Sequence, residues 1–358
     1  VARDRIPVVE GLSVQPSEDQ LKALGAAAAS SGTVALFHIA GVTPEAHTVD
    51  AAFQGRPLPR PINVTMDDLR RARRELTTEV GNSGALDMVV LGSPHFSLAE
   101  FKQLAPLLAG KHAHPRVQFL VTSSRAMAVL ARQAGYLDAL EAFGGKLTVD
   151  TCILASPMLP PEIKTLMTNS AKYAYYAPGM LNTRVTFGSL ADCVQSAVEG
   201  RVVRNETLWQ GSSGAVNSGD WTFQEDPEDS RGTRRVVIGG EAEGELLVSR
   251  EPISFWGGYD YHTGEIIDRR HPLSGSSAAG RTLAVPFTRG SSTTTAVLLE
   301  AVRAGTAPAA IVTTGVDSFF ALASIVADEM YGTPVPLLAL PRDEFAKLVT
   351  GERFKIAG

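Results

Sequence analysis

DMVVLGSPHFSLAEFKQLAPLLAGKHAHPRVQFLVTSSR, residues 87–125, is the stretch on which the fold turns. DMVVLG (87–92) is a short apolar run of strand formers. Ser97 then stands where it can cap a helix in LAEFKQLAPLLAG, and RVQFLVT (116–122) is a second strand. Ser123 or Ser124 can cap the helical run that follows, RAMAVLARQAGYLDALEAF. Strand, capped helix, strand, capped helix is the grammar of βα units, and it predicts a mostly parallel α/β sheet. Outward from this core the pattern repeats. Residues 18–30 are strong helix formers followed by a strand candidate, TVALFHI (33–39). Thr65, with Asp68 three positions on, marks another helix start, and KLTVD (146–150) is a further strand.

Sheets of this kind bind ligands beyond the carboxyl ends of their strands. The segments to watch are therefore HIAGVTPEAH, GSPHFS and TSSR, which follow three of the strands, although turns use Gly, Pro and Ser for purely local reasons as well. Residues 200–235 are polar, rich in Gly, Ser, Asp and Arg, and without periodicity, which reads as a linker or crossover. Beyond it come VVIGG, ELLVSR, TLAVPF (282–287), AAIVT (309–313) and VPLLAL (335–340) as strands, with helices at 292–304 and 318–331.

Composition narrows the function classes. Lys and Arg number 33 against 38 Asp and Glu, a net charge of −5, which argues against a strongly basic nucleic-acid binder. Hydrophobic residues at 44% imply a sizeable globular core, and no apolar run reaches membrane-spanning length. Two cysteines exclude a disulfide-dense scaffold. The opening VARDRIPVVEGL lacks the apolar core of a signal peptide, so a cytoplasmic location is expected, with Val1 either a processed start or a point inside a larger polypeptide.

The residues able to carry chemistry are few. Cys152 follows a strand in VDTCILASP, and Cys193 lies in a helical FGSLADCVQSAVEG; each is an inert buried thiol or a metal ligand. In TRGSSTTTAVLLEAV (288–302), Arg289 and Gly290 precede Ser291, Ser292 and three threonines at a helix start. Free N–H groups and the helix dipole favour an anion there, so a serine can cap the helix, act as a base, or help cradle a phosphate. MTNSAKYAYYAPG (167–179) gathers Asn169, Ser170, Lys172 and Tyr173, with Lys172 or Tyr176 able to recognise a carboxylate. PISFWGGYDYHTGEIID (252–268) reads as a glycine-bent β-hairpin or a crowded functional turn.

Taken together, RIPVVEGL, ALFHIAGVTPEA, VVLGSPHFSLAEF, VDTC, MTNSAKYAYYAPG, FGSLADCV, ISFWGGYDYHTGEIID, HPLSG, RGSSTTT and APAAIVTTG resemble the aconitase X family of hydro-lyases. The resemblance implies that residues 1–199 form the latter part of the large catalytic region, 200–235 a linker and candidate hinge, and 236–358 the small swivel domain. It implies an iron–sulfur cluster held by Cys152, Cys193 and a third cysteine outside this chain; GSPH has Ser93 where relatives often carry Cys. It assigns the base to Ser291, with Ser292 as alternative. Arg289 and Gly290 would hold the substrate or ease the serine alkoxide, and His38, Thr43, Glu45, His95, Asn169, Ser170 and Lys172 would neighbour the substrate or cluster. The implied substrate is a small hydroxy-acid or hydroxy-amino acid, cis-3-hydroxy-L-proline for a fused large and small region, with no nucleic acid or membrane partner and a companion N-terminal segment of the same enzyme. Mevalonate 5-phosphate dehydration and a cluster-free carboxylate-binding homologue are the alternatives.

Overall fold

A computed structural model describes residues 6–12, 14–32, 34–78, 84–156, 158–210, 234–289 and 293–356. The chain divides into two units, Val1–Ser218 and Gly219–Gly358.

The first unit opens with β1 (Val8–Val9), α1 (Glu18–Gly32) and β2 (His38–Ile39), the two strands pairing in parallel, followed by α2 (Val49–Phe53) and α3 (Met66–Glu75). The strand expected over 33–39 is therefore shortened to its last two residues, because its partner offers only Val8 and Val9 to pair with. The alternation anticipated around residue 100 then appears in full. β3 (Met88–Phe96), α4 (Leu98–Leu108), β4 (Gln118–Ser123), α5 (Arg125–Gln133), α6 (Tyr136–Phe143) and β5 (Gly145–Val149) come first, then β6 (Thr165–Thr168), α7 (Ala171–Met180), β7 (Arg184–Phe187) and α8 (Leu190–Glu199). The five strands β3–β7 form one parallel sheet in the order β5-β4-β3-β6-β7.

Local chemistry sets the helix starts. Thr65 with Asp68, Ser97 with Glu100, and Ser189 with Asp192 each close a reciprocal capping box. The helix expected to run unbroken through 125–143 is interrupted at Gly135, whose φ of 76° suits glycine and which precedes the start of α6. Between sheet and helices lies an apolar core that includes Val89, Leu91, Phe96, Phe101, Phe119 and Phe143, the last two edge-to-face at 5.0 Å.

The second unit contains β8 (Arg235–Ile238), β9 (Ala242–Val248), β10 (Thr282–Ala284), α9 (Thr293–Ala304), β11 (Ala310–Thr313), α10 (Ser318–Tyr331), β12 (Leu337–Ala339), α11 (Arg342–Phe345) and β13 (Arg353–Ile356). Its sheet runs β13-β9-β10-β11-β12-β8, parallel inside and antiparallel at both edges. The 252–268 stretch is not a two-stranded hairpin. It is a chain of turns with single bridges at Ile253–Thr288, Tyr259–Ile266 and Glu265–Ser277, packed by a Phe255–Tyr259 stack at 4.3 Å. A side chain at Gly258 would meet the Ser254 carbonyl oxygen at 2.1 Å, so the bend closes only around glycine.

Candidate active site

In the five-stranded sheet the chain leaves β3 first toward β4 and β5, then returns to add β6 and β7 on the other side. The direction of strand order reverses between β3 and β6, and at such a point the loops beyond the strand ends diverge and leave a crevice. Ser93 and His95 come from the β3 tail, Thr151 and Cys152 follow β5, and Asn169 and Ser170 follow β6.

Hydrogen bonds draw these tails together. Ser170 caps α7, its Oγ accepting from Tyr173 N at 3.0 Å and donating to the Ser93 carbonyl. His95 Nε2 lies 2.9 Å from the Thr151 carbonyl oxygen and donates to it, tying the β3 tail to the β5 tail. Cys152 is half-buried at the start of a short 3₁₀ turn, Ile153–Ala155, and its sulfur takes no part in capping that turn. Tyr173 is buried, with a hydroxyl that has no hydrogen-bond partner among the described residues. Burial pushes its phenol well up, and the negative charge of a Cys152 thiolate pushes it further. A buried hydroxyl without a partner is costly, and here it lies in the electrostatic reach of the one cysteine with solvent access. Lys172, half-buried one position earlier, makes no ion pair among the described residues.

Asn169 lines a cavity of about 320 Å³ with Arg73, Phe187, Gly188, Ser189 and Trp209. Sequence reasoning passed over Arg73 and Trp209. Arg73 is gripped by Glu206 through two bonds, 2.6 and 3.0 Å, and lies 4.8 Å over the Trp209 ring. No sequence signal joins residues so far apart along the chain.

The other expected residues separate. Thr43 Oγ1 accepts from Ile39 N at 3.0 Å and donates to the Ile39 carbonyl, holding its own turn. Glu45 is exposed. His38 has a buried Nδ1 with no hydrogen-bond partner. None of the three makes a hydrogen bond to the β3, β5 or β6 tails among the described residues.

Cys193 is enclosed. It has no exposure and packs in the first unit's apolar core, where burial, with Asp192 beside it, pushes its thiol far up. As placed, Cys193 packs in the core, and a cluster ligand there would bind as a thiolate, which a bound metal itself favours. Among the described residues no group of three or more His, Cys, Asp or Glu could hold a metal ion. The residues present therefore do not fit a complete iron–sulfur site.

In the second unit Gly290, Ser291 and Ser292 lie outside the described residues. Arg289, expected to serve the serine or a substrate carboxylate, has a counter-ion in Asp268. Its Nη2 donates to Asp268 Oδ2 at 2.8 Å, both side chains being nearly buried, and its backbone N–H donates to Ile253 O at 2.8 Å. Thr288 donates through N and Oγ1 to Asp317, the N-cap of α10, at 2.6 and 2.8 Å. Beside this pair the buried His271 ring is pushed below its ordinary value by burial and by Arg289, against the Glu251 carbonyl that accepts from Nε2 at 3.3 Å.

This is an α/β unit with its polar groups on the carboxyl edge of a parallel sheet, followed by a smaller β/α unit, and comparison with known proteins gives the same division. Residues 1–74 match the aconitase X second domain, 86–199 the third domain and 231–358 the swivel domain. The chain is 47% identical over 208 residues to the cis-3-hydroxy-L-proline dehydratase of Pseudomonas aeruginosa, covering 57% of this chain and 36% of that protein. It is 44% identical over 203 residues to the protein of the same name in Hypocrea jecorina, covering 56% of this chain and 34% of that one. It is 38% identical over 122 residues to the phosphomevalonate dehydratase small subunit of Thermococcus gammatolerans, covering 34% of this chain and 87% of that subunit. The chain belongs to the aconitase X family. It matches about a third of the length of the two hydroxyproline dehydratases. Membership is consistent with iron–sulfur chemistry in general, and no helix among the described residues is long and apolar enough to cross a membrane.

Proposed function

We propose that this chain provides the third-domain edge and the swivel domain of a hydro-lyase that dehydrates cis-3-hydroxy-L-proline. One observation carries the reading: the half-buried Cys152 follows β5 and Tyr173, whose hydroxyl has no partner among the described residues, lies in α7 after β6, in a chain 47% identical over 208 residues to a dehydratase of that substrate. In the reaction a base removes the proton from the carbon bearing the carboxylate. The electron pair of that C–H bond forms the ring double bond, and the C3–O bond breaks to release water. The resulting enamine tautomerises to Δ1-pyrroline-2-carboxylate. Ser291 is the proposed base, with Ser292 as alternative. Lys172, without an ion pair among the described residues, is suited to the substrate carboxylate. Asn169 and Ser170 line the same strand end, with the Ser170 hydroxyl already committed to holding the β3 tail. An iron–sulfur cluster would draw Cys152 and Cys193 from this chain and a third cysteine from polypeptide outside it.

A second reading has its own support in the 38% identity to a phosphomevalonate dehydratase small subunit. The test is turnover of cis-3-hydroxy-L-proline and of mevalonate 5-phosphate by anaerobically purified protein, with Ser291→Ala alongside. Preference for hydroxyproline, lost in the variant, supports the proposal. Preference for the phosphate ester selects the second reading, and tight ligand binding without turnover selects a cluster-free binding protein.

A further inference from the structure

Side chains from three different elements hold carbonyls of the β3 tail. Ser170 Oγ, at the start of α7, donates to the Ser93 carbonyl. Ser123 Oγ, at the end of β4, donates to the Phe96 carbonyl at 2.6 Å. Lys22 Nζ, on α1, donates to the His95 carbonyl at 3.0 Å. The first two grips come from the sheet and its own connections. The third comes from a residue that matches the second domain and takes hold of one that matches the third. The Lys22 ammonium is itself fixed. It lies 2.6 Å from Glu100 Oε2 and 2.9 Å from Asp19 Oδ1. Those carboxylates are anchored in turn at the start of α4, Glu100 accepting from Ser97 N at 2.9 Å and Asp19 from Ser97 Oγ at 2.7 Å. Burial works against the charge on Lys22, but Glu100 and Asp19 outweigh it and hold the ammonium above its ordinary value. An ammonium has three donors, and two carboxylates and one carbonyl occupy them. Lys22 is thus built as a latch and not as a ligand-binding cation.

The hold runs on from there. The exposed His95 ring donates from Nε2 to the Thr151 carbonyl at 2.9 Å, and Thr151 directly precedes the half-buried Cys152. The Cys152 carbonyl accepts from Ser156 Oγ at 2.9 Å, so the segment is pinned on both sides of the sulfur. A side chain keeps its position when its own backbone and rotamer are locked by surrounding bonds. The His95 carbonyl and ring belong to one residue, so a grip on the first limits where the second can reach. We infer that Lys22 is a positioning residue: its ammonium fixes the His95 carbonyl, the His95 ring holds the Thr151–Cys152 segment, and the exposure of the Cys152 sulfur is thereby set from α1. The relay stands on this geometry alone; its use, presenting Cys152 to a cluster, rests on the reaction proposed above.

The test is the rate at which iodoacetamide modifies Cys152 in the purified chain at fixed pH, followed by mass spectrometry of digests, with Cys193 as the internal control for unfolding. Lys22→Met and His95→Ala should each speed modification of Cys152 at least threefold while Cys193 stays protected. Loss of a nearby cation by itself makes a thiolate harder to form and slows the reaction, so an increase reads lost position and not lost charge. Lys22→Arg, which keeps the cation and its donors, should stay within twofold of the parent rate. The double variant Lys22→Met/His95→Ala should be no faster than the faster single variant, because both changes break one relay. Lys22→Met leaves Asp19 and Glu100 as facing like charges, so Lys22→Met/Glu100→Gln is read beside it; it relieves that repulsion, still lacks the donor to the His95 carbonyl, and should show the same increase. A Cys152 rate unchanged in Lys22→Met overturns the inference, as does an unchanged rate in Lys22→Met/Glu100→Gln should Cys193 also react in the first variant. Effects of Lys22→Met and His95→Ala that multiply in the double variant overturn it too. Turnover plays no part in this reading, so a protein that converts no hydroxyproline removes the proposed reaction and leaves the relay standing.

Discussion

Replacing Gly92 with alanine tests whether the β3 tail is placed by close approach of two backbones. Gly92 has φ +93°, and a methyl group there would lie 2.1 Å from the Thr122 carbonyl oxygen on β4. Thr122 is itself fixed, its Oγ1 donating to the Gly92 carbonyl at 2.7 Å. Two costs follow. Holding a residue with a Cβ at positive φ costs about 1–3 kcal/mol. Forcing the strands apart against a packed sheet costs about 1–3 kcal/mol more. Against them stands a gain of only about 0.4–1 kcal/mol from a stiffer unfolded chain, available where the native conformation suits alanine. The internal control is Gly110→Ala, which shares the positive φ, +70°, but has nothing within 4 Å. It should pay the conformational cost alone. Urea unfolding followed by far-ultraviolet circular dichroism, with unchanged slope, would show Gly92→Ala losing clearly more stability than Gly110→Ala. Because Ser93 and His95 follow directly, the same variant should lose turnover in the assembled enzyme. Equal losses in the two variants would refute the argument from strand contact, whatever the absolute values.

Further expectations concern single groups. With a thiol reagent under native conditions Cys152 should react and Cys193 should not until the first unit unfolds; simultaneous reaction would show that Cys193 is not enclosed. Tyr173→Phe removes a hydroxyl that has no protein partner, so unfolding free energy should change by less than about 1 kcal/mol while turnover falls at least tenfold; a large loss of stability would mean the hydroxyl is structural. His271 has its folded value held below 6.5, so the folded state resists its protonation. Its contribution to stability is complete above pH 6.5 and is lost as pH falls toward the depressed value, and His271→Gln should flatten the second unit's melting temperature between pH 7 and 5.

The parts legible in the sequence were those written in neighbouring residues. Thr65 with Asp68 and Ser97 with its following apolar run mark helix starts because the capping bond spans three residues. Buried strands such as Met88–Phe96 declare themselves by composition, and the family motifs order the domains. What depended on distant partners was not legible. Residues 34–37 have strand composition but no strand to join, since β1 ends after two residues. The run 125–143 looks like one helix until Gly135 takes a left-handed turn. The pairing of Arg289 with Asp268 is likewise not legible, because the two lie twenty-one positions apart with no motif linking them.

The same distinction sorts the candidate site. At the switch point most polar groups are consumed by backbone: Ser170 by Ser93 and Tyr173 N, and His95 by the Thr151 carbonyl. Groups with bonds of this kind set the shape of the crevice, and altering them moves the strand tails. Groups that make no such bond among the described residues include the Cys152 sulfur, the Tyr173 hydroxyl and the Lys172 ammonium, and these are the ones the proposal assigns to a ligand. On the proposed reading the Cys152 sulfur would serve the cluster as a soft ligand and the Lys172 ammonium would pair with the substrate carboxylate. Variants of the first set should therefore lower stability and turnover together, and conservative variants of the second should lower turnover alone. A Ser170→Ala protein that stays stable but inactive would invert that order and place the Ser170 hydroxyl among the reacting groups.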